Sequence, residues 1–249
     1  MKLQSQHLAD YLQCTPIIDW ETPTVIAQTQ AITCGLTHDI EKAQALFEWV
    51  RDAIPHSCDI GTDVVTCTAS EVLQQRTGLC YAKSHLLAAM LRCTGIPAGF
   101  CYQVFRRNSP YHGLALHGLN GLFLPSLARW MRVDARGNTG TIDAQFSLTE
   151  EKLAFPIDSQ QGEFLYETIY TDPAPEVVAV LRGFTSLHAL WPYLPEPFAE
   201  HVGTRSVTLG AASVVCAAPG LQSTVRRWLD GACGMLLVGF GVCLALTRQ

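Results

Sequence analysis

The sequence predicts an α+β fold in which helices come first and an antiparallel sheet follows. Apolar residues recur at helical spacing between Asp39 and Arg92, then alternate from Phe100 onward. No helical pattern separates the strand candidates, so neighbouring strands have short connections and should pair antiparallel.

Residues 1–36 read as an irregular lead-in with one short helix, because Pro16, Pro23 and Gly35 interrupt any longer pattern. From Asp39 to Ile54 the residues Ile40, Ala43, Leu46, Phe47, Val50 and Ile54 form one apolar face, and Pro55 ends the helix. Asp39 and Glu41 place negative charge in its first turn, where the helix dipole favours it. Thr68 and Glu71 have the spacing of a capping box and open a short helix through Gln75. Gly78 is expected to make a sharp turn before Cys80. The next helix runs from Cys80 to Arg92, with Ala82, Leu86 and Met90 on one stripe, and stops at Gly95-Ile96-Pro97. Strand candidates follow at 100–105, 112–119 and 129–134. Residues 141–199 read as further strand or helix pieces, then a proline-rich exit, Trp191-Pro192-Tyr193-Leu194-Pro195-Glu196-Pro197.

Composition narrows the function classes. Hydrophobic residues make up 48% and charged residues 16%, against an ordinary charged share of about 25%. A formal net charge of -5 and isolated basic pairs at Arg106–Arg107 and Arg226–Arg227 argue against a nucleic-acid partner. The ten cysteines form no C-x-x-C pair, and His56 with Cys58 is the nearest approach to a metal-ligand pair, so neither metal nor cofactor is expected. The first twenty residues lack the apolar run of a secretory signal, which points to a reducing cytoplasmic compartment and free thiols.

After Arg205 the composition shifts. Residues 206–224 and 231–247 carry no charge, with Arg226, Arg227 and Asp230 between the blocks. Each block approaches the roughly 17–25 residues of a bilayer span. A catalytic domain over 1–203 and a hydrophobic helical tail over 204–249 are expected. The tail reads as a membrane-anchoring hairpin or as a pair of core helices.

Cys80 is the candidate nucleophile on physical grounds. It stands at the first turn of a helix, where free N–H groups and the dipole favour a thiolate and can receive an oxyanion. A thiol also needs a base and a group that orients the base. His117, 37 residues downstream on one predicted strand, and Asp134, 17 further on the next, can be brought there by an antiparallel pair. His85, five residues into the nucleophile's own helix, and His112 are rivals for the base. Asp59 and Asp143 are rivals for the acid, while Trp130 and Tyr102 read as core and Gln103 as a cleft residue.

The segment RTGLCYAKSHLLAAMLRCTGIPAG (Arg76 to Gly99) closely resembles the nucleophile segment of the bacterial transglutaminase-like superfamily. His117 and the stretch WMRVD ending at Asp134 match that family's catalytic His and Asp segments. The resemblance covers residues 30–140 well and 140–200 loosely. It implies a papain-like thiol fold with the nucleophile at a helix start packed on an antiparallel sheet. It also implies hydrolysis or transfer of amide and peptide acyl groups through a Cys80–His117–Asp134 triad. Leu119 stands where many relatives have an aromatic, which bears on the acyl pocket, and no acidic calcium loop is seen. Ala218 to Arg248 resembles the closing segment of lysine-exporter-type amino-acid transporters, a fusion too short to build a transport pathway. Two alternatives to an enzyme are thus a non-catalytic binding module of this fold and a membrane-associated fusion with an exporter segment.

Overall fold

The computed structural model describes residues 1–107 and 111–199. Helices α1 (Pro23–Thr33), α2 (Asp39–Ala53), α3 (Ala69–Gln75) and α4 (Cys80–Cys93) precede three long strands, β2 (Ala98–Arg106), β3 (Leu114–Leu124) and β4 (Arg129–Val133). Short pieces complete the order: β1 (Lys2–Leu3), β5 (Phe164–Leu165), β6 (Thr168–Ile169), α5 (Pro175–Gly183) and α6 (Leu187–Leu190). The main sheet is antiparallel in the order β4-β3-β2-β5, as the strand run predicts.

Several elements form for the reasons the sequence suggests. In α3, the Thr68 hydroxyl accepts from the Glu71 amide while the Glu71 carboxylate accepts from the Thr68 amide, a closed capping box. Helix α2 buries Ala43, Leu46, Phe47 and Val50 and turns its charges outward. Helix α4 departs from the amphipathic reading, because Tyr81 through Arg92 are all buried. It runs through the middle of the molecule, packed against α1, α2, α3, β2 and β3.

The lead-in is more ordered than expected. Pro23 occupies the first turn of α1, where its missing N–H costs nothing, and a helix of eleven residues follows. The segment before it covers the face of the sheet that α4 leaves open: Tyr11 joins Cys101, Leu119 and Ile169 in a second core cluster, with Trp130 packed against it. The Tyr11 and Trp130 rings meet edge to face at 4.7 Å. Parallel pairing of β1 with β6 ties this segment down. Short pieces separated by prolines hide this pairing from a periodicity reading.

Leu119, which stands where many relatives have an aromatic, packs in that second cluster. The turn before Cys80 also differs from expectation. Arg76, the C-cap of α3, takes the left-handed conformation with φ 56°, and Gly78 does not. Gly78 serves by lacking a side chain, since a Cβ there would stand 3.1 Å from Thr66 Oγ1 and 3.2 Å from the Ala82 Cβ. Gly99 is tighter still, with a Cβ 2.4 Å from the Tyr170 carbonyl oxygen. Gly99→Ala is expected to cost about 1–3 kcal/mol or more, the usual range for overpacking, read as a lowered urea midpoint with an unchanged slope.

The predicted tail at 204–249, with both its membrane reading and its exporter resemblance, lies outside the described residues. Among the described residues no helix is long and apolar enough to cross a membrane.

Candidate active site

Pairing between β3 and β4 ends at Asn120 opposite Val133, three residues short of His117; beside His117 the Leu116 amide donates instead to the Pro195 carbonyl at 2.8 Å. Asp134 lies one residue beyond β4, not within it, and is wholly buried. Its Oδ2 accepts from His117 Nε2 at 2.7 Å and from the Ala154 amide at 3.0 Å, and its Oδ1 accepts from the Arg136 amide at 3.1 Å. With Nε2 committed to Asp134, the imidazole is left with Nδ1, and Cys80 lies close enough to favour the charged form of the ring. The structure thus joins His117 and Asp134 directly, with Cys80 in the electrostatic neighbourhood of the imidazole.

Cys80 is the first residue of α4, after Leu79, whose side chain makes no cap. The opening N–H groups of the helix are free of a side-chain acceptor and no acidic residue stands in the first turn, so the positive end of the dipole is uncompensated. Tyr81 anchors this helix start to the sheet: its hydroxyl donates to the Leu116 carbonyl, and its ring crosses Gly118 so closely that a Cβ there would lie 2.9 Å away.

Burial opposes charge on His117, but the carboxylate of Asp134 and the thiol of Cys80 outweigh it and raise its pKa to about 10. Burial likewise works against the Asp134 carboxylate, yet the His117 charge and the two amide bonds hold it below its ordinary value. Both shifts favour an ion pair. The Phe155 ring meets His117 edge to face at 5.0 Å, and the Arg136 guanidinium lies over the Phe155 ring at 6.0 Å. Arg136 in turn holds Asp59 through two bonds of 2.6 and 2.8 Å.

The rivals are accounted for elsewhere. His85 is buried with Nδ1 on the Cys67 carbonyl at 2.7 Å. His112 is exposed at the rim of a cavity of about 690 Å3 bounded by Arg107, Glu176 and the proline-rich exit. Asp59 is engaged by Arg136, and Asp143 accepts from the Gln145 side chain at 2.6 Å. Tyr102 is core, as read, with its hydroxyl accepting from the Ala174 amide. Gln103 sits opposite His117 in the sheet but is fully buried, donating to the Phe155 carbonyl, so it does not line an open cleft.

Sequence reasoning missed Lys83, Arg136 and Phe155. Lys83 is wholly buried one turn below Cys80 and donates to the Arg51 and Ile54 carbonyls at the end of α2. Burial lowers its pKa to about 7. Its spacing three residues after Cys80 was the available signal. Arg136 and Phe155 act through contacts distant in sequence and left none. Among the described residues no group of three or more His, Cys, Asp or Glu side chains could hold a metal ion.

Residues 26–135 match the family model of the transglutaminase-like superfamily. The matched segment contains Cys80, His117 and Asp134. Among solved structures, a candidate cysteine protease from Cytophaga hutchinsonii is similar at 17% identity and a TM-score of 0.44, over 53% of this chain and 43% of that one. A candidate protease from Parabacteroides distasonis is similar at 13% identity and a TM-score of 0.33, over 60% of this chain and 30% of that one. The chain thus spans less than half the length of either structure. No curated protein matches.

Proposed function

We propose that this chain is a thiol-dependent hydrolase or acyl transferase acting on amide or peptide bonds, with residues 1–203 as its catalytic domain. The observation that carries the reading is the buried 2.7 Å bond between His117 and Asp134, with Cys80 beside the imidazole at an uncapped helix start. The transglutaminase-like match over 26–135 supports it independently.

The mechanism follows from the charges. Asp134 fixes the imidazole through Nε2 and leaves Nδ1 to exchange a proton with the sulfur. Cys80 Sγ attacks the carbonyl carbon, a C–S bond forms, and the carbonyl electron pair moves onto oxygen beside the first N–H groups of α4. As the pair returns, the C–N bond breaks and His117 gives its proton to the departing amine. Water or a second amine then attacks the thioester, surrenders a proton to His117, and releases the thiolate.

Iodoacetamide at pH 6–7 is expected to label Cys80 faster than any other of the ten cysteines. Mass spectrometry after timed quenching reads the order. His117→Ala should slow the labelling, and a variant that labels as fast as the parent removes His117 from the base role.

A further inference from the structure

The acyl-transfer scheme needs an oxyanion donor besides the helix amides, and none of the three proposed catalytic residues supplies one. His56 stands in the right neighbourhood. It forms an isolated parallel bridge with Gly78, two residues before Cys80, and the next amide, Ser57, donates to the Gly78 carbonyl at 3.1 Å. The residue is only 6% exposed. Its Nδ1 accepts from the Cys58 amide at 3.3 Å, which leaves the ring proton of the neutral form on Nε2. Nε2 has no acceptor among the described residues, and it is not one of the wholly enclosed unpartnered atoms.

The ring is also held neutral. Burial drives its pKa well below the ordinary value, and the neighbouring cations Arg136, Lys83 and His117 push the same way. Of those neighbours, His117 is bonded to Asp134, Lys83 lies one turn below Cys80, and Arg136 stands two residues after Asp134. A neutral N–H donor beside the nucleophile turn, without a protein acceptor, suits a developing negative oxygen, because its alignment costs no reorganisation.

We propose that His56 Nε2–H is the second oxyanion donor of this site, binding the carbonyl oxygen of an acyl substrate as Cys80 attacks it. The proposal rests on the thiol acyl-transfer reading, and its test separates the two. Acylation by p-nitrophenyl acetate puts charge on an oxygen, whereas alkylation by iodoacetamide displaces iodide at a saturated carbon and makes no oxyanion.

In His56→Phe, the nitrophenolate burst is expected to slow by about 10²–10³, the usual effect of losing one such donor. Iodoacetamide should still alkylate Cys80 at the parent rate. His56→Gln, which retains an N–H donor, should recover part of the burst rate. Should the Phe variant not fold, His56→Met gives the same donor-free comparison. If burst and alkylation fall together, or the burst does not slow, His56 is a structural part of the turn and the proposal is overturned. If Cys80→Ala still gives the burst, it is the acyl-transfer reading that fails.

Discussion

Asp134→Asn is expected to lower kcat by about 10⁴, the order seen when the orienting acid of a nucleophile–histidine–acid triad loses its charge. Two amides and the imidazole all donate to this carboxylate, so an uncharged amide in its place must turn one N–H against another. If the new NH2 faces His117, the imidazole proton moves to Nδ1, where it cannot receive a proton from sulfur. If it faces the Arg136 amide, that buried donor loses its partner at a cost of about 1–3 kcal/mol. Turnover across a pH series and a thermal melt on the same variant read both parts. Turnover close to the parent's would remove Asp134 from the orienting role.

The same pair shapes stability against pH, and the sign follows from the two shifts. His117 is raised on folding, so its contribution is complete below the unfolded value of about 6.5 and is lost as pH rises towards about 10. Asp134 is lowered, so its contribution is complete above the unfolded value of about 3.9 and is lost as pH falls through the folded one. The pair should therefore support the fold most fully between about pH 4 and 6.5.

Arg92→Leu should have the largest effect on the fold, about 3–5 kcal/mol, a substantial part of a typical domain's 5–15 kcal/mol. The guanidinium is 2% exposed and joins four regions. From the last turn of α4 it donates to the Ala98 carbonyl through Nε and Nη2 at 3.0 and 2.9 Å, to the Gln13 carbonyl at 2.7 Å, and to the Thr171 carbonyl. A leucine keeps the apolar stem but removes the donor from all three carbonyls, of which the Ala98 one is buried. Chemical denaturation should show an earlier midpoint, while Cys80 in the remaining folded protein labels at the parent rate. A midpoint within about 0.5 kcal/mol of the parent would mean that water replaces the guanidinium.

Arg92 also shows what a sequence can and cannot convey. The segment from Leu91 to Ala98 is legible as a helix stop because Gly95 and Pro97 act locally, and Gly95 does adopt a positive φ. What the arginine does there depends on Gln13 and Thr171, each 79 residues away, and no local pattern announces it. The site divides the same way. Cys80 is readable from the turn and helix around it, and His117 and Asp134 from strand spacing and family likeness. His56 reads only as half of a weak metal pair, because its bridge to Gly78 crosses 22 residues. The second face of the sheet is hidden for the same reason, since Tyr11 meets Ile169 across 158.

Because every residue from Tyr81 to Arg92 is enclosed by neighbouring helices and the sheet, α4 has no surface from which to fray on its own. Its amide hydrogens past the first turn should exchange with solvent only through openings that disrupt most of the domain, placing them among the slowest in the chain. The thiol rides on that same rigid rod. Heat should therefore silence Cys80 and dismantle the fold in a single transition, with no temperature at which an intact domain carries a collapsed site.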